Sequence, residues 1–334
     1  MQAGLAASAR ACACLRIAFP GRVAQSGRVP AIVSCMSSPL PAPLRIPLVV
    51  SAIAISTVAH TLLLFAVAFP KALVPLAAFR AACGRVLVRI AESWIGVNSW
   101  LIDHATPTRV RVEGAAELRI DGHYLVLANH RSWVDILVLQ KVLNRRVPFM
   151  RFFLKSQLFW VPLLGLAWWA LDFPFMKRYS RKVLARRPGL AGRDIAATRR
   201  ACEKFRGLPV SIMNFVEGTR LTRDKRRRQG SPYAHLLRPK AGGIALVLDA
   251  MGEGLQSVLD VSIAYPAGTP TLADLVGGRV PCVRVDLRER PIPSELRGLD
   301  YEGDPAARVR YQRWLNGLWS EKDGVLDRLL EGAP

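Results

Sequence analysis

Acidic residues are scarce in this chain, and none precedes Glu92. Against 25 Asp and Glu stand 47 Lys and Arg, a formal net charge of +22. The imbalance is uneven: between Lys177 and Lys240 nineteen basic residues face four acids, Asp194, Glu203, Glu217 and Asp224, a net +15. Such a field favours polyanions, whether nucleic acid, anionic lipid headgroups or a phosphorylated substrate. Helix-turn-helix, RNA-binding and zinc-finger patterns are all missing, and aromatics are sparse among the basic runs, so nucleic acid is not expected as a partner. Cysteine is sparse as well. Cys12, Cys14 and Cys35 lie near the start, with Cys83, Cys202 and Cys282 scattered beyond, and neither a CxxC pair nor a His-rich cluster accompanies them. That pattern argues against a disulfide framework or a zinc site and makes a reducing compartment the default. There is no internal repeat.

What the chain has in excess is apolar character. Over 334 residues, 51% are hydrophobic and the mean hydropathy is +0.20, high for a chain so rich in Lys and Arg, so the apolar residues must be concentrated somewhere. Residues 1–40, rich in Ala, Ser, Pro and Arg, read either as a targeting peptide or as an over-extended start with Met36 as the first residue; they are expected to be disordered and stand outside the fold. Residues 41–103 read as N-terminal transmembrane or interfacial helices. Within them Ile46–Pro70 carries no charge, and its 25 residues, at about 1.5 Å each, exceed a hydrocarbon core of about 30 Å. His60 is its one titratable residue, read as bonded to a local partner. Lys71, Arg80, Arg85 and Arg89 follow on one side, which retains that side in the cytoplasm. Residues 71–103 read as a continuing helix, either interfacial or packed on the soluble domain.

From residue 104 to 334 the texture is that of an α/β domain. Strands are predicted at Tyr124–Ala128, Val210–Val216, Val258–Tyr265 and Val280–Leu287. Helices are predicted at Ser132–Val142, with Ser132 as N-cap, and over most of Asp304–Leu330. Ser156–Leu171 is charge-free with Trp160, Trp168 and Trp169. It is short for a span and interrupted by Pro162 and Gly165, so it reads as a hairpin or helix dipping into one leaflet and admitting acyl chains, or else as a soluble core helix.

Two segments carry chemistry. In Ala128-Asn-His-Arg-Ser-Trp-Val-Asp135, a strand ends at Ala128 and His130 sits in the turn before a helix. On one continuous helix a residue five positions on would lie about 140° round the axis. With His130 in the turn, the chain can fold back so that Asp135 accepts from one ring nitrogen and frees the other as a base. In Phe215-Val-Glu-Gly-Thr-Arg220, Gly218 lets backbone amides face a ligand, while Thr219 and Arg220 can donate to phosphate oxygens. Glu217 is an odd neighbour for phosphate unless it orients Arg220 or another base.

Together, in this order, the two segments resemble the PlsC-type glycerolipid acyltransferases (1-acylglycerol-3-phosphate acyltransferases), marked by N-H-x-S-x-x-D and F-P-E-G-T-R. The first block is complete as Asn129, His130, Ser132 and Asp135; the second has Val216 where Pro is usual. Phe175-Met-Lys-Arg178 is similar to the acceptor-binding block, although the Gly that usually precedes it is absent from Leu171-Asp-Phe-Pro. Leu237-Arg-Pro-Lys-Ala-Gly-Gly243 is similar to the last block, built round Pro239. The resemblance covers roughly residues 105–270 and is nearest to a bacterial subfamily that carries only a general acyltransferase label.

It implies a single αβα domain with a mixed sheet, preceded by N-terminal membrane helices. It also implies transfer of a fatty acyl group from acyl-CoA or acyl carrier protein to a lysophospholipid hydroxyl, giving phosphatidic acid where the acceptor is 1-acylglycerol-3-phosphate. Another lysolipid, such as a lyso-ornithine lipid, is the alternative acceptor. His130 and Asp135 would be catalytic. Asn129, Lys155, Arg178, Glu217, Gly218, Thr219, Arg220 and Pro239 would bind substrate, Lys155 with backbone amides near His130 as oxyanion donors. No metal or cofactor is implied beyond the co-substrate. The expected partners are the lipid bilayer, the lysolipid and the acyl donor, and the expected place is the cell inner membrane with the catalytic domain on the cytoplasmic side. Arg223, Lys225, Arg226, Arg227 and Arg228 read as a solvated loop or membrane-facing patch.

Overall fold

The runs Tyr124–Ala128 and Val258–Ala264 are largely apolar at odd and even positions alike, the composition of strands covered on both faces. In the computed structural model, which describes residues 41–114, 117–176, 209–301 and 303–331 together with residues 186 and 205, both runs lie at the centre of a six-stranded sheet. The expectations for residues 1–40 and for Arg178 lie outside the described residues. The strands of the sheet are β1 (Arg109–Glu113), β2 (His123–Ala128), β3 (Met150–Phe152), β6 (Val210–Asn214), β7 (Ser257–Ala264) and β8 (Cys282–Pro291), in the order β1-β8-β7-β2-β6-β3. Neighbours run parallel except β7 and β8, so the sheet is mixed. A separate pair, β4 (Leu154–Lys155) and β5 (Phe175–Met176), is parallel too.

Alternate residues of β2 feed two cores. Tyr124, Val126 and Ala128 face helix α3 (Val134–Leu143), while Leu125 and Leu127 face α6 (Gly242–Met251) and α8 (Pro305–Glu331). The result is three layers, αβα. The long C-terminal helix is fixed by an ionic contact as well as by apolar burial. Lys322, fully buried, donates to the Val261 carbonyl at 2.7 Å and pairs with Asp260 of β7, which also accepts from Arg290 Nε at 3.1 Å.

Ahead of the sheet, α1 (Ala42–Leu73) and α2 (Ala77–Ala105) form an antiparallel pair, pinned where Trp94 Nε1 donates to Thr57 Oγ1 at 3.1 Å and His60 Nε2 meets Ser93 Oγ at 3.3 Å. His60 Nδ1 is satisfied by the Ser56 carbonyl at 2.8 Å, a local partner for the one titratable residue of Ile46–Pro70. Within α1, Pro43–Leu73 has mean hydropathy 2.2 and, among the described residues, is the one helix long and apolar enough to cross a membrane. Leu48, Ile55, Leu62 and Phe69 recur every seven residues and are all more than half exposed, an apolar stripe facing away from the protein. Both ends of α1 are tied to the globular part: Arg45 donates to the Gly277 carbonyl, and Lys71 pairs with Asp172 at 3.2 Å.

Several boundaries differ from expectation. The helix expected to continue through residues 71–103 breaks over 74–76, where Pro75 cannot donate. Helix α3 starts at Val134 with Trp133, itself in helical backbone, at the N-cap position, one residue later than expected; Ser132 still caps that end, its Oγ accepting from the Val134 N–H at 3.1 Å and its N–H donating to Asp135 at 2.8 Å. Strand β6 ends at Asn214, since Phe215 starts the turn closed by the Gly218 N–H. Ser156–Leu171 is two short helices, the 3-10 turn Ser156–Trp160 and α4 (Leu164–Ala170), bent at Pro162, with Trp160 and Trp169 exposed.

Candidate active site

The ends of β2 and β7 lie side by side, with Ala128 level with Val261. Asn129 extends that ladder with its side chain: Nδ2 donates to the Ile263 carbonyl at 2.9 Å and Oδ1 accepts the Ile263 N–H at 2.8 Å. Expected as a substrate contact, Asn129 is fully buried with both polar ends occupied, and so it positions the loop that follows.

That loop, residues 130–133, curls round the Asp135 carboxylate. Oδ2 accepts from His130 Nδ1 at 2.9 Å and from the N–H groups of Arg131 and Ser132 at 2.6 and 2.8 Å; Oδ1 accepts from the Tyr265 hydroxyl at 2.6 Å. Asp135 is fully buried, so these four donors stand in for water. The Tyr265 phenol is held well above its ordinary pKa by burial and by the adjacent carboxylate, which keeps it a donor. With Nδ1 committed to Asp135, the His130 proton sits on that nitrogen and Nε2 is left as the acceptor. The imidazole stacks on Phe215, with centroids 3.9 Å apart and the rings 14° from parallel.

The second segment grips the backbone of the first. Glu217 Oε1 accepts the His130 N–H at 3.1 Å, Oε2 accepts the Leu237 N–H at 2.9 Å, and the Leu221 N–H donates to the His130 carbonyl at 2.8 Å. Glu217 is fully buried, and burial outweighs its two amide hydrogen bonds, pushing its carboxyl up to about 7. It therefore sits behind His130, its carboxylate turned to backbone N–H groups inside the protein, which accounts for an acid beside Thr219 and Arg220. Gly218 takes φ 72°, a left-handed turn that favours glycine. Beyond it Arg220 is exposed, with its guanidinium 4.7 Å from the centre of the Trp133 ring, and the Thr219 hydroxyl accepts from Lys225 Nζ at 2.7 Å. Lys225, read from the sequence as part of a solvated run, thus joins the rim of the site. Pro239 is buried and accepts from Gln312 Nε2 at 3.0 Å, a structural contact. Lys155 is exposed on β4. Val216 fills the core beside Leu236 and Ala241, so the departure from Pro is absorbed by packing.

From His130 and Phe215 a cavity of about 300 Å³ runs between α3, α4 and the α1–α2 pair, lined by Ile136, Leu137, Phe149, Phe152, Leu164 and Trp168 among others. Its walls are mostly aliphatic and aromatic.

Comparison with known proteins points to one kind of enzyme among the relatives. Residues 109–266 match the model of the family described as Acyltransferase. The chain is 26% identical over 262 residues to lysocardiolipin acyltransferase 1 of Danio rerio, covering 74% of this chain and 62% of that protein. It is 25% identical over 248 residues to 1-acyl-sn-glycerol-3-phosphate acyltransferase 3 of Arabidopsis thaliana, covering 69% and 60%. It is 22% identical over 209 residues to 2-acyl-1-lysophosphatidylinositol acyltransferase of Saccharomyces cerevisiae, covering 52% and 53%. The chain thus spans about six-tenths of the length of the first two and about half of the third. The fold matches that of the 1-acyl-sn-glycerophosphate acyltransferase PlsC of Thermotoga maritima with a TM-score of 0.50 at 19% identity, over 84% of this chain and 98% of that one. The resemblance to that family thus rests on residues 109–266, which hold both the histidine loop and the Glu217 turn.

Proposed function

We propose, with the acyltransferase-family domain at residues 109–266 as premise, that this protein moves a fatty acyl group from a thioester to the hydroxyl of a lysophospholipid at a membrane surface. One observation carries the reading: His130, its Nδ1 held by Asp135 at 2.9 Å, stands at the end of an apolar cavity. His130 Nε2 takes the proton of the acceptor hydroxyl as its oxygen bonds to the thioester carbonyl carbon. The tetrahedral oxyanion collapses, the carbon–sulfur bond breaks, and the departing thiolate takes the proton back from Nε2. Asp135 supports the imidazolium between those two transfers.

The donor is acyl-CoA or acyl carrier protein, and the first-choice acceptor is 1-acylglycerol-3-phosphate, giving phosphatidic acid. Gly218, Thr219, Arg220 and Lys225 form the rim that would meet its phosphate. A different lysophospholipid is the second reading of the acceptor, supported by the lysocardiolipin and lysophosphatidylinositol names among the relatives. Lys155 remains a candidate oxyanion donor. Membrane attachment is proposed through the exposed apolar stripe of α1 together with Trp160 and Trp169, in the inner membrane with the catalytic domain on the cytoplasmic side.

The test is thioester consumption by membranes holding wild type or His130→Ala, with acyl-CoA or acylated carrier protein and a panel of lysolipids, products being read by mass spectrometry. Wild type should form diacyl lipid and the variant should fall by at least about a hundredfold. Equal rates would refute the assignment of the base.

A further inference from the structure

The cavity that opens at His130 is apolar along most of its wall, but its α1 side carries Thr57, His60 and Thr61, and α3 adds Gln140. Thr57 and His60 are already satisfied. The Thr57 hydroxyl donates to the Ile53 carbonyl at 2.7 Å and accepts from Trp94, and His60 is held between Ser56 and Ser93. Thr61 and Gln140 are different. Thr61 is 3% exposed, yet among the described residues its hydroxyl has no hydrogen-bond partner within the protein, and neither has the side-chain amide of the half-buried Gln140. Thr61 does not bond back into its own helix as Thr57 does one turn earlier. Two polar side chains not bonded within the protein, one on each of two walls of an apolar cavity, are available to a polar group on whatever fills it.

Their place along the cavity is set by α3. Ile136, Leu137 and Gln140 share one face of that helix, and Gln140 lies six residues, about 9 Å, beyond Val134 at the end nearest His130. An acyl chain whose carbonyl carbon stands at His130 would pass Ile136 and Leu137 before it reached Gln140. The polar groups therefore meet the middle of the chain, away from its thioester.

We propose that this cavity selects a donor acyl chain bearing a mid-chain hydroxyl group, which Thr61 and Gln140 hydrogen-bond. The inference rests on the acyl transfer proposed above and names the class of acyl donor within it. A hydroxyl donates once and accepts, the Thr61 hydroxyl does the same, and the Gln140 amide offers both donors and an acceptor, so the three groups are complementary in donors and acceptors. A chain without the hydroxyl leaves both protein groups unpaired, the situation in which a site rejects the lesser analogue strongly.

The test uses the full chain in membranes with one fixed lysolipid acceptor, so that only the donor chain changes. The donors are octadecanoyl thioester and its 3-hydroxy, 9-hydroxy, 12-hydroxy and 18-hydroxy forms, each supplied on CoA and on carrier protein. Wild type should prefer a mid-chain hydroxyl over the plain chain by at least about tenfold in kcat/KM, with little gain from the 3- or 18-hydroxy forms. Thr61→Val and Gln140→Leu, singly and together, should erase the preference while transfer from the plain chain persists or improves, and Thr61→Ser should retain it. Transfer with no mid-chain preference, or a preference that survives both substitutions, would overturn the inference and leave the acyltransferase reading standing. No transfer from any donor would remove the reading beneath it, and the inference with it.

Discussion

Replacing Asp135 by asparagine isolates the charge behind His130, the base of the proposed transfer. An asparagine in the same rotamer can keep its oxygen on the three N–H groups that Oδ2 accepts and turn its amide nitrogen to the Tyr265 oxygen. Shape and His130 tautomer then survive, and only the negative charge is lost. The cost falls where His130 becomes an imidazolium. With both charges spread over their groups, an effective separation of about 4 Å and an effective dielectric of about 20 give about 4 kcal/mol, or a rate lowered by about a thousandfold. Acyl transfer followed by mass spectrometry, beside a thermal unfolding curve for each variant, reads rate and integrity separately. Asp135→Asn should unfold within a few degrees of wild type and turn over about a thousand times more slowly. A variant that unfolds normally and keeps more than a tenth of the wild-type rate would refute the role given to this carboxylate.

Glu217 gives a pH prediction. Between pH 4.5, where the unfolded carboxyl releases its proton, and about 7, where the folded one does, the native state binds the extra proton. Stability should therefore fall as pH rises through that window, by about 3 kcal/mol in all, and Glu217→Gln should flatten that slope even if its absolute stability is offset; equal slopes would contradict the buried neutral acid. Lys322→Met leaves Asp260 buried with Arg290 as its remaining charged partner and should cost about 3 kcal/mol in chemical denaturation, with the activity per folded molecule unchanged; a cost under about 1 kcal/mol would remove the ion pair from any part in docking the C-terminal helix. An environment-sensitive dye on a cysteine placed at Trp160 or Trp169, both exposed, should shift to shorter wavelength on mixing with anionic vesicles. Unchanged emission would take that segment out of membrane contact.

The pairing of His130 with Asp135 was legible because spacing and turn chemistry are local: five residues, one of them in a loop, leave few ways to be near. The central strands were legible for the same kind of reason, an apolar run being its own signal. What could not be read is whatever depends on register between distant strands. Tyr265 supports Asp135 only because β2 and β7 run parallel with Ala128 beside Val261, and nothing in the text near Tyr265 says so. Glu217 looked misplaced in an anion loop until its two backbone partners, at His130 and Leu237, were in view. Lys225 was hidden in a run of like charge, where one lysine cannot be told from its neighbours. The break at Pro75 leaves little trace in the sequence beyond the proline itself, because the apolar and basic pattern runs on across it.

Asn129 grips Ile263 across 134 residues of chain, and Asp135 meets Tyr265 across 130. On a ribosome adding about 5–20 residues each second, the later partners emerge on the order of ten seconds after the loop that needs them. During that interval α1 and α2 are already made, while the histidine loop has neither its clasp to β7 nor the Glu217 hold on its backbone. The nascent chain thus meets its surroundings through its apolar helices well before the histidine loop is assembled. A chain cut short anywhere before Tyr265 should be inert, however complete its first motif.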